Sequence, residues 1–255
     1  MNPVKDTIGW ADFTLNPTTG CKHNCPYCYA RAFAGRKMGR YATTGFLPYF
    51  HRDRLEEPSK RKKPARIFVG SAGDLCGDWD YCEYGHGNLM HTGSYVVRQI
   101  AEAMRKAPQH QYLVLTKADL YRNGLSTACA KELSEAGAWL GISITGHPKY
   151  DADERMRLVG LLDTVPTRRF VSVEPIMIGG YYSHSLCDLM TRLELRKIDW
   201  LIIGGMTGAQ RKRHHPDKSK EIAEMLIEHA KRAGVPVYCK SNLGYAQEYK
   251  EFPKP

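Results

Sequence analysis

The chain has 255 residues, 42% of them hydrophobic and 25% charged, with no biased tract long enough to prevent a packed core. This excludes a disordered or fibrous protein and leaves room for one large α/β barrel or two small domains. Lys and Arg outnumber Asp and Glu by 37 to 27, a net charge of +10 that suits either a polyanion partner or solvated basic loops and is silent about fold.

The first residues, Met1 to Asp6, lack a charged-then-apolar leader, and no stretch approaches the roughly 18 apolar residues of a membrane span. A cytoplasmic protein without membrane contact is expected. In that reducing setting the eight cysteines suit metal or redox chemistry better than a disulfide framework.

Taken in chain order, seven short apolar runs predict strands over 13–15, 66–70, 112–116, 139–144, 170–174, 200–204 and 235–239. Apolar residues at three- and four-residue spacing predict helices over 94–107, 118–137, 151–163, 185–197 and 218–233. Strand alternating with helix marks a parallel sheet, and the nearly unbroken apolar character of the strands marks one covered on both faces. The expected fold is therefore α/β, a partial (β/α) barrel of about six or seven parallel strands in a single domain over 1–255. Functional groups in such folds gather at the carboxyl ends of the strands. Those ends carry Cys21, then Gly70, Ser71 and Asp74, then Lys117, Ser143, Thr145, Glu174, Gly204, Gly205, Cys239 and Lys240.

Directly after the first predicted strand, Cys21, Cys25 and Cys28 stand in a CxxxCxxC spacing. A structural zinc site normally closes with four protein ligands, whereas an iron–sulfur cubane on three cysteines leaves one iron open. The alternative is zinc with His23 as a fourth ligand. The spacing, with Tyr27 before the last cysteine, resembles the signature of the radical S-adenosylmethionine (SAM) superfamily. Gly70-Ser71 with Asp74-Leu75, Leu115-Thr116-Lys117, Phe170 to Pro175 and Asp199 to Gly205 extend the resemblance to a little-characterised branch often found in phage and prophage sequences. That branch commonly has a longer insertion between its first two cysteines, so the compact spacing here is a departure.

The resemblance implies a [4Fe-4S] cluster on Cys21, Cys25 and Cys28, SAM bound at the open iron, and reductive cleavage to methionine and a 5′-deoxyadenosyl radical. It also implies an electron donor such as flavodoxin or ferredoxin. By the family's geometry Gly70, Ser71 and Asp74 meet the amino-acid end of SAM, Asp74 accepting from the ammonium or else capping the next turn. Ser143 and Thr145 reach the ribose, Glu174 faces ribose or substrate, and Gly204 and Gly205 pack on adenine. Lys117 and Lys240 hold the SAM carboxylate or a substrate phosphate, or pair with Asp74 or Glu174. Cys239 is a candidate hydrogen-atom donor, with Lys240 and Glu174 as further catalytic candidates.

Cys76 and Cys82 form a possible second metal site, and Cys129 reads as core. Two basic blocks, 60–63 and 211–215, and the aromatic residues Trp79, Tyr81 and Tyr84 point to DNA, RNA or a nucleotide as substrate. A peptide or small-molecule substrate is the alternative enzyme reading, and a zinc-stabilised nucleic-acid-binding protein the non-enzymatic one.

Overall fold

Residues 1–4, 8–37, 46–85, 89–177, 184–194, 196–206, 216–243 and 249–254 are described in a computed structural model of the chain. They fall into two compact units, Met1–Val4 with Ala11–Leu140, and Lys5–Trp10 with Gly141–Pro255. The fold class is the expected one, α/β with a sheet of mostly parallel strands.

The first unit runs β1 (Asn2–Pro3), β2 (Phe13–Leu15), β3 (Thr18–Thr19), α1 (Tyr29–Lys37), β4 (Tyr49–Phe50), α2 (Glu57–Lys60), β5 (Arg66–Val69), β6 (Tyr81–Glu83), β7 (Met90–His91), α3 (Gly93–Arg105), β8 (Gln111–Thr116) and α4 (Gly124–Glu135). β2, β5 and β8 lie parallel, with Leu15 opposite Val69 and Val69 opposite Val114, while β1 covers the outer edge of β2 in antiparallel register. Side-chain caps fix where the helices begin: Thr92 Oγ1 accepts from Tyr95 N–H, and Asn123 Oδ1 from Ser126 N–H. The second cap explains why α4 starts later than its apolar spacing suggests. The preceding Asp119 carboxylate takes the amides of Tyr121 and Arg122, which holds that stretch as a turn.

β3, β4, β6 and β7 form a separate four-stranded sheet that the sequence reading missed. Strands of two or three residues are too short to show a two-residue period. Arg52 stiffens this sheet by donating to both oxygens of Glu83, at 2.9 and 3.1 Å, and His91 bonds the same carboxylate. The guanidinium holds the Glu83 carboxyl down to about 2.

The strand β9 (Trp139–Ile144) begins at the end of the first unit and continues into the second, which adds α5 (Asp151–Thr164), β10 (Arg169–Val173), α6 (His184–Glu194), β11 (Trp200–Ile203), α7 (Pro216–Ala233) and β12 (Val237–Cys239). β10, β11 and β12 are parallel, with Ser172 opposite Ile202 and Ile202 opposite Tyr238. On one face of these strands Phe170 and Trp200 pack around Trp10, at ring separations of 5.8–6.2 Å. The chain then returns along the outer edge of β12: Cys239 N–H bonds Tyr249 O, Glu251 N–H bonds Val237 O, and the Glu251 carboxylate takes Val237 N–H. Phe252 ends this return against the rings of Trp200 and Tyr238.

Phe252 keeps 36% of its surface exposed, so its truncation removes part of a core contact rather than all of one. Phe252→Ala is expected to cost about 1–3 kcal/mol, below the usual range for a fully buried Phe, and to lower the urea midpoint without changing the slope.

Candidate functional site

The entry to the cysteine loop is a backbone-to-backbone contact. Gly20, at φ +87°, donates to Ala72 O, and a Cβ there would lie 1.9 Å from Leu47 O. Only glycine fits this positive φ and close approach together. Cys21 N–H then bonds Phe46 O, and Arg31 at the start of α1 donates to Cys21 O at 3.0 Å. At the far end Tyr29 donates to Ser71 O at 2.5 Å. Ser71 and Ala72 are in turn held by Asn16 Oδ1, at 3.1 and 2.9 Å, and Gly70 N–H donates to Leu15 O. The predicted segment at Gly70 and Ser71 is thus brought against the cysteine loop at the carboxyl ends of β2 and β5.

Asp74 is the junction of this end of the unit. Only 4% exposed, it accepts on Oδ1 from Thr116 Oγ1 (2.7 Å) and Cys76 N–H (3.0 Å), and on Oδ2 from Lys117 N–H (2.8 Å) and His23 Nε2 (3.0 Å). A carboxylate has about four acceptor positions, and all four are in use. Burial alone would raise the Asp74 carboxyl, but the bonds from His23, Lys117 and Thr116 outweigh it and hold the group below the ordinary carboxylate range. The bond from the Cys76 amide, two residues on, is close to the capping alternative. Lys117 does not pair with Asp74 through its ammonium. That group instead lies 5.9 Å from the centre of the Tyr27 ring, which joins two predicted site residues across the cysteine loop.

Cys21, Cys25 and Cys28 are free thiols of intermediate exposure. Among the described residues, these cysteines included, no group of three His, Cys, Asp or Glu side chains is arranged to hold a metal ion. Their chemistry nonetheless fits a thiolate-held iron–sulfur cluster. Three soft donors share one loop, and the amides of His23 and Arg31 point at the sulfurs of Cys21 and Cys28, each at 3.4 Å. No Asp or Glu lies between Asp12 and Asp53, a signal present in the sequence but not used. Burial, followed by the charge of Asp74, pushes the Cys21 thiol up to about 12, so a bound cation is what would make it a thiolate. His23, the fourth ligand of the zinc alternative, commits Nε2 to Asp74.

In the second unit, Glu174 and Lys240 form an ion pair, and a Cβ on Gly204 would lie 2.8 and 2.9 Å from their side chains. Glycine is required there for the pair to close over the strand end. Asn242, missed in the sequence, clamps Gly205 by accepting from its N–H at 3.0 Å and donating to its carbonyl at 2.8 Å. Thr145 is committed to Glu154, a helix-start acid that is fully buried. Its carboxylate takes the Thr145 amide and hydroxyl (2.7 and 2.6 Å), the Gly146 amide (3.0 Å) and the Ser185 hydroxyl (3.1 Å). Ser143 is buried within β9, and its carbonyl accepts from Arg157 at 3.3 Å.

Cys239 is not brought to Glu174 and Lys240. It pairs with Ile203, and side-chain alternation turns it to the opposite face from Lys240, where burial and then Glu251 push its thiol up to about 12. Cys76 and Cys129 are core residues, and Cys82 lies in β6. Trp79 (7% exposed) and Tyr81 are buried too, so of the three aromatics expected to face bases only Tyr84, 43% exposed, is available. The basic block 60–63 ends α2 and precedes β5, at the amino ends of the strands and away from the cysteine loop. Arg61 lies over the Phe13 ring at 4.3 Å, and Lys60 pairs with Glu56. The block 211–215 lies outside the described residues. Among those described, no helix is long and apolar enough to cross a membrane.

The model of the family described as "Protein of unknown function (DUF5131)" matches residues 5–252. No curated protein matches the sequence. Among solved structures, spore photoproduct lyase complexed with dinucleoside spore photoproduct is similar at a TM-score of 0.56 and 12% identity, over 92% of this chain and 78% of that one. A cysteine-to-alanine mutant of that lyase with the same ligand gives 0.53, at the same identity and coverage. The likeness is one of fold.

Because Asp74 is ionised in the native state below its unfolded pKa, its stabilisation is complete above about pH 4 and is lost as pH falls through the depressed native value. Asp74→Asn should therefore lower stability at pH 7 by on the order of 1–3 kcal/mol. The gap to the native protein should narrow on acidification, as read by urea unfolding across pH 7 to 3.

Proposed function

This chain belongs to the DUF5131 family of proteins of unknown function, and from that premise we propose that it is a radical SAM enzyme acting on a nucleic acid or nucleotide. The observation that carries the reading is the placement of Cys21, Cys25 and Cys28 in one acid-free loop, tied by Gly20, His23 and Tyr29 to the carboxyl ends of parallel strands. The shared fold with spore photoproduct lyase supports it, since that lyase has been seen with a dinucleoside photoproduct.

Under this reading the three cysteines hold a [4Fe-4S] cluster, with SAM as second cofactor and a flavodoxin- or ferredoxin-type protein as electron donor. When bound, the cluster supplies the electron that cleaves the SAM sulfonium. The chain's own residues bind and orient. Gly70 and Ser71 present backbone beside the loop, Tyr27 and Lys117 set a ring and a cation against it, and Asp74 keeps these parts in register. The second unit offers the Glu174–Lys240 pair above Gly204, beside the Gly205 turn clamped by Asn242, an acid and a cation suited to a nucleoside or its phosphate.

Single replacement of Cys21, Cys25 or Cys28 by alanine is expected to abolish both iron retention after anaerobic reconstitution and SAM cleavage by the reduced protein. Unchanged iron content and cleavage in any one variant would refute the assignment.

The substrate class has its own test. Affinity for DNA or RNA should fall linearly in log–log with salt, by about 0.7–0.9 per phosphate neutralised. Neutralising block 60–63, which lies away from the loop, should reduce that slope while leaving SAM cleavage intact. Salt-independent binding, or none, would favour a small substrate.

A further inference from the structure

We infer that His23 is a positioning residue that seats the cysteine loop on the ends of β5 and β8 through Asp74, and that it is not itself a cluster ligand. The inference rests on the reading of this loop as the functional centre. Exposure alternates along the loop: Lys22, Asn24 and Pro26 face outward, whereas Cys21, His23 and Cys25 are partly buried. The backbone anchor at Cys21 and the Tyr29 bond hold the two ends of the loop, and between them the His23 side chain reaches to the strand ends.

Its acceptor is organised in advance. Three of the four bonds to Asp74 come from Cys76, Thr116 and Lys117, all outside the cysteine loop, so the carboxylate is fixed whether or not His23 arrives. The Trp79 ring packs against the imidazole edge-to-face, with centroids 5.1 Å apart and planes at 74°, and restricts ring rotation. Immediately after His23 the chain turns at Asn24 with φ +52°, a left-handed conformation that asparagine tolerates better than most residues. The His23 amide points at Cys21 Sγ, so its ring and backbone together fix the direction of the first thiol.

The test compares native protein, His23→Ala and His23→Gln in two states. In iron-free protein, amide hydrogen exchange is followed across 21–28. In anaerobically reconstituted protein, the cluster's electron paramagnetic resonance spectrum and the rate of iron loss to a chelator are measured. His23→Ala is expected to speed exchange across the loop and iron loss tenfold or more, while exchange around Thr145 and Glu154 stays unchanged. His23→Gln, whose amide can still donate to Asp74, should recover most of both, and the loaded spectra of both variants should match the native one. Native-like exchange in His23→Ala would overturn the inference, as would an altered cluster spectrum in His23→Gln, which would mark a ligand. Exchange in the iron-free state does not depend on a cluster. A native protein unable to hold iron would therefore remove the proposed function while leaving the seating of the loop measurable.

Discussion

A single buried negative charge organises the functional end of the first unit. Desolvating the Asp74 carboxylate is costly, and the cost is met because the donors around it leave no acceptor position vacant. Those donors come from the cysteine loop, the turn after β5 and the end of β8, segments far apart in sequence that the charge obliges to meet. Removing any one of them leaves a buried ion underpaired, so the meeting is enforced more strongly than by apolar packing alone, which tolerates sliding. Burial, and after it the same charge, makes Cys21 reluctant to ionise. The loop is thus ordered by a buried anion.

The second unit solves its own ordering problem in the same way. Glu154 reaches from α5 to the end of β9 and gathers the Thr145 and Gly146 amides together with the Thr145 and Ser185 hydroxyls, which also ties in the start of α6. With Asp74 and Glu154 both saturated, neither has a lone pair to spare for a ligand. Glu174 is different, since its pairing with Lys240 is one that a competing phosphate or hydroxyl could exchange into.

The parallel strands were legible in the sequence as branched apolar runs alternating with helices long enough to display their spacing, and all seven expected strands are present, β2 and β12 at only three residues each. Departures occur where side chains compete with the backbone, as Asp119 does before α4, and where elements shrink to two or three residues, as in the small sheet. Of the candidate site, the cysteine loop stands out in the sequence because Cys21, Cys25 and Cys28 lie so close together. The partners of Asp74, Glu154 and Asn242 do not, since a carboxylate or amide in a polar turn looks the same whether it binds a ligand or its own fold. The burial of Trp79 and Tyr81 was likewise invisible, because an aromatic-rich loop carries no sign of which ring faces inward.

The return of residues 249–254 along β12 has a consequence for how the protein is made. Ladder groups on the outer side of β12 are satisfied by Tyr249 and Glu251, which are synthesised after every strand of the second unit. During translation there is an interval in which β10, β11 and β12 can already associate while that outer side is bare. An unpaired apolar strand edge is a template for another chain. The outer edge of β12 is therefore protected only once this short segment has docked on it.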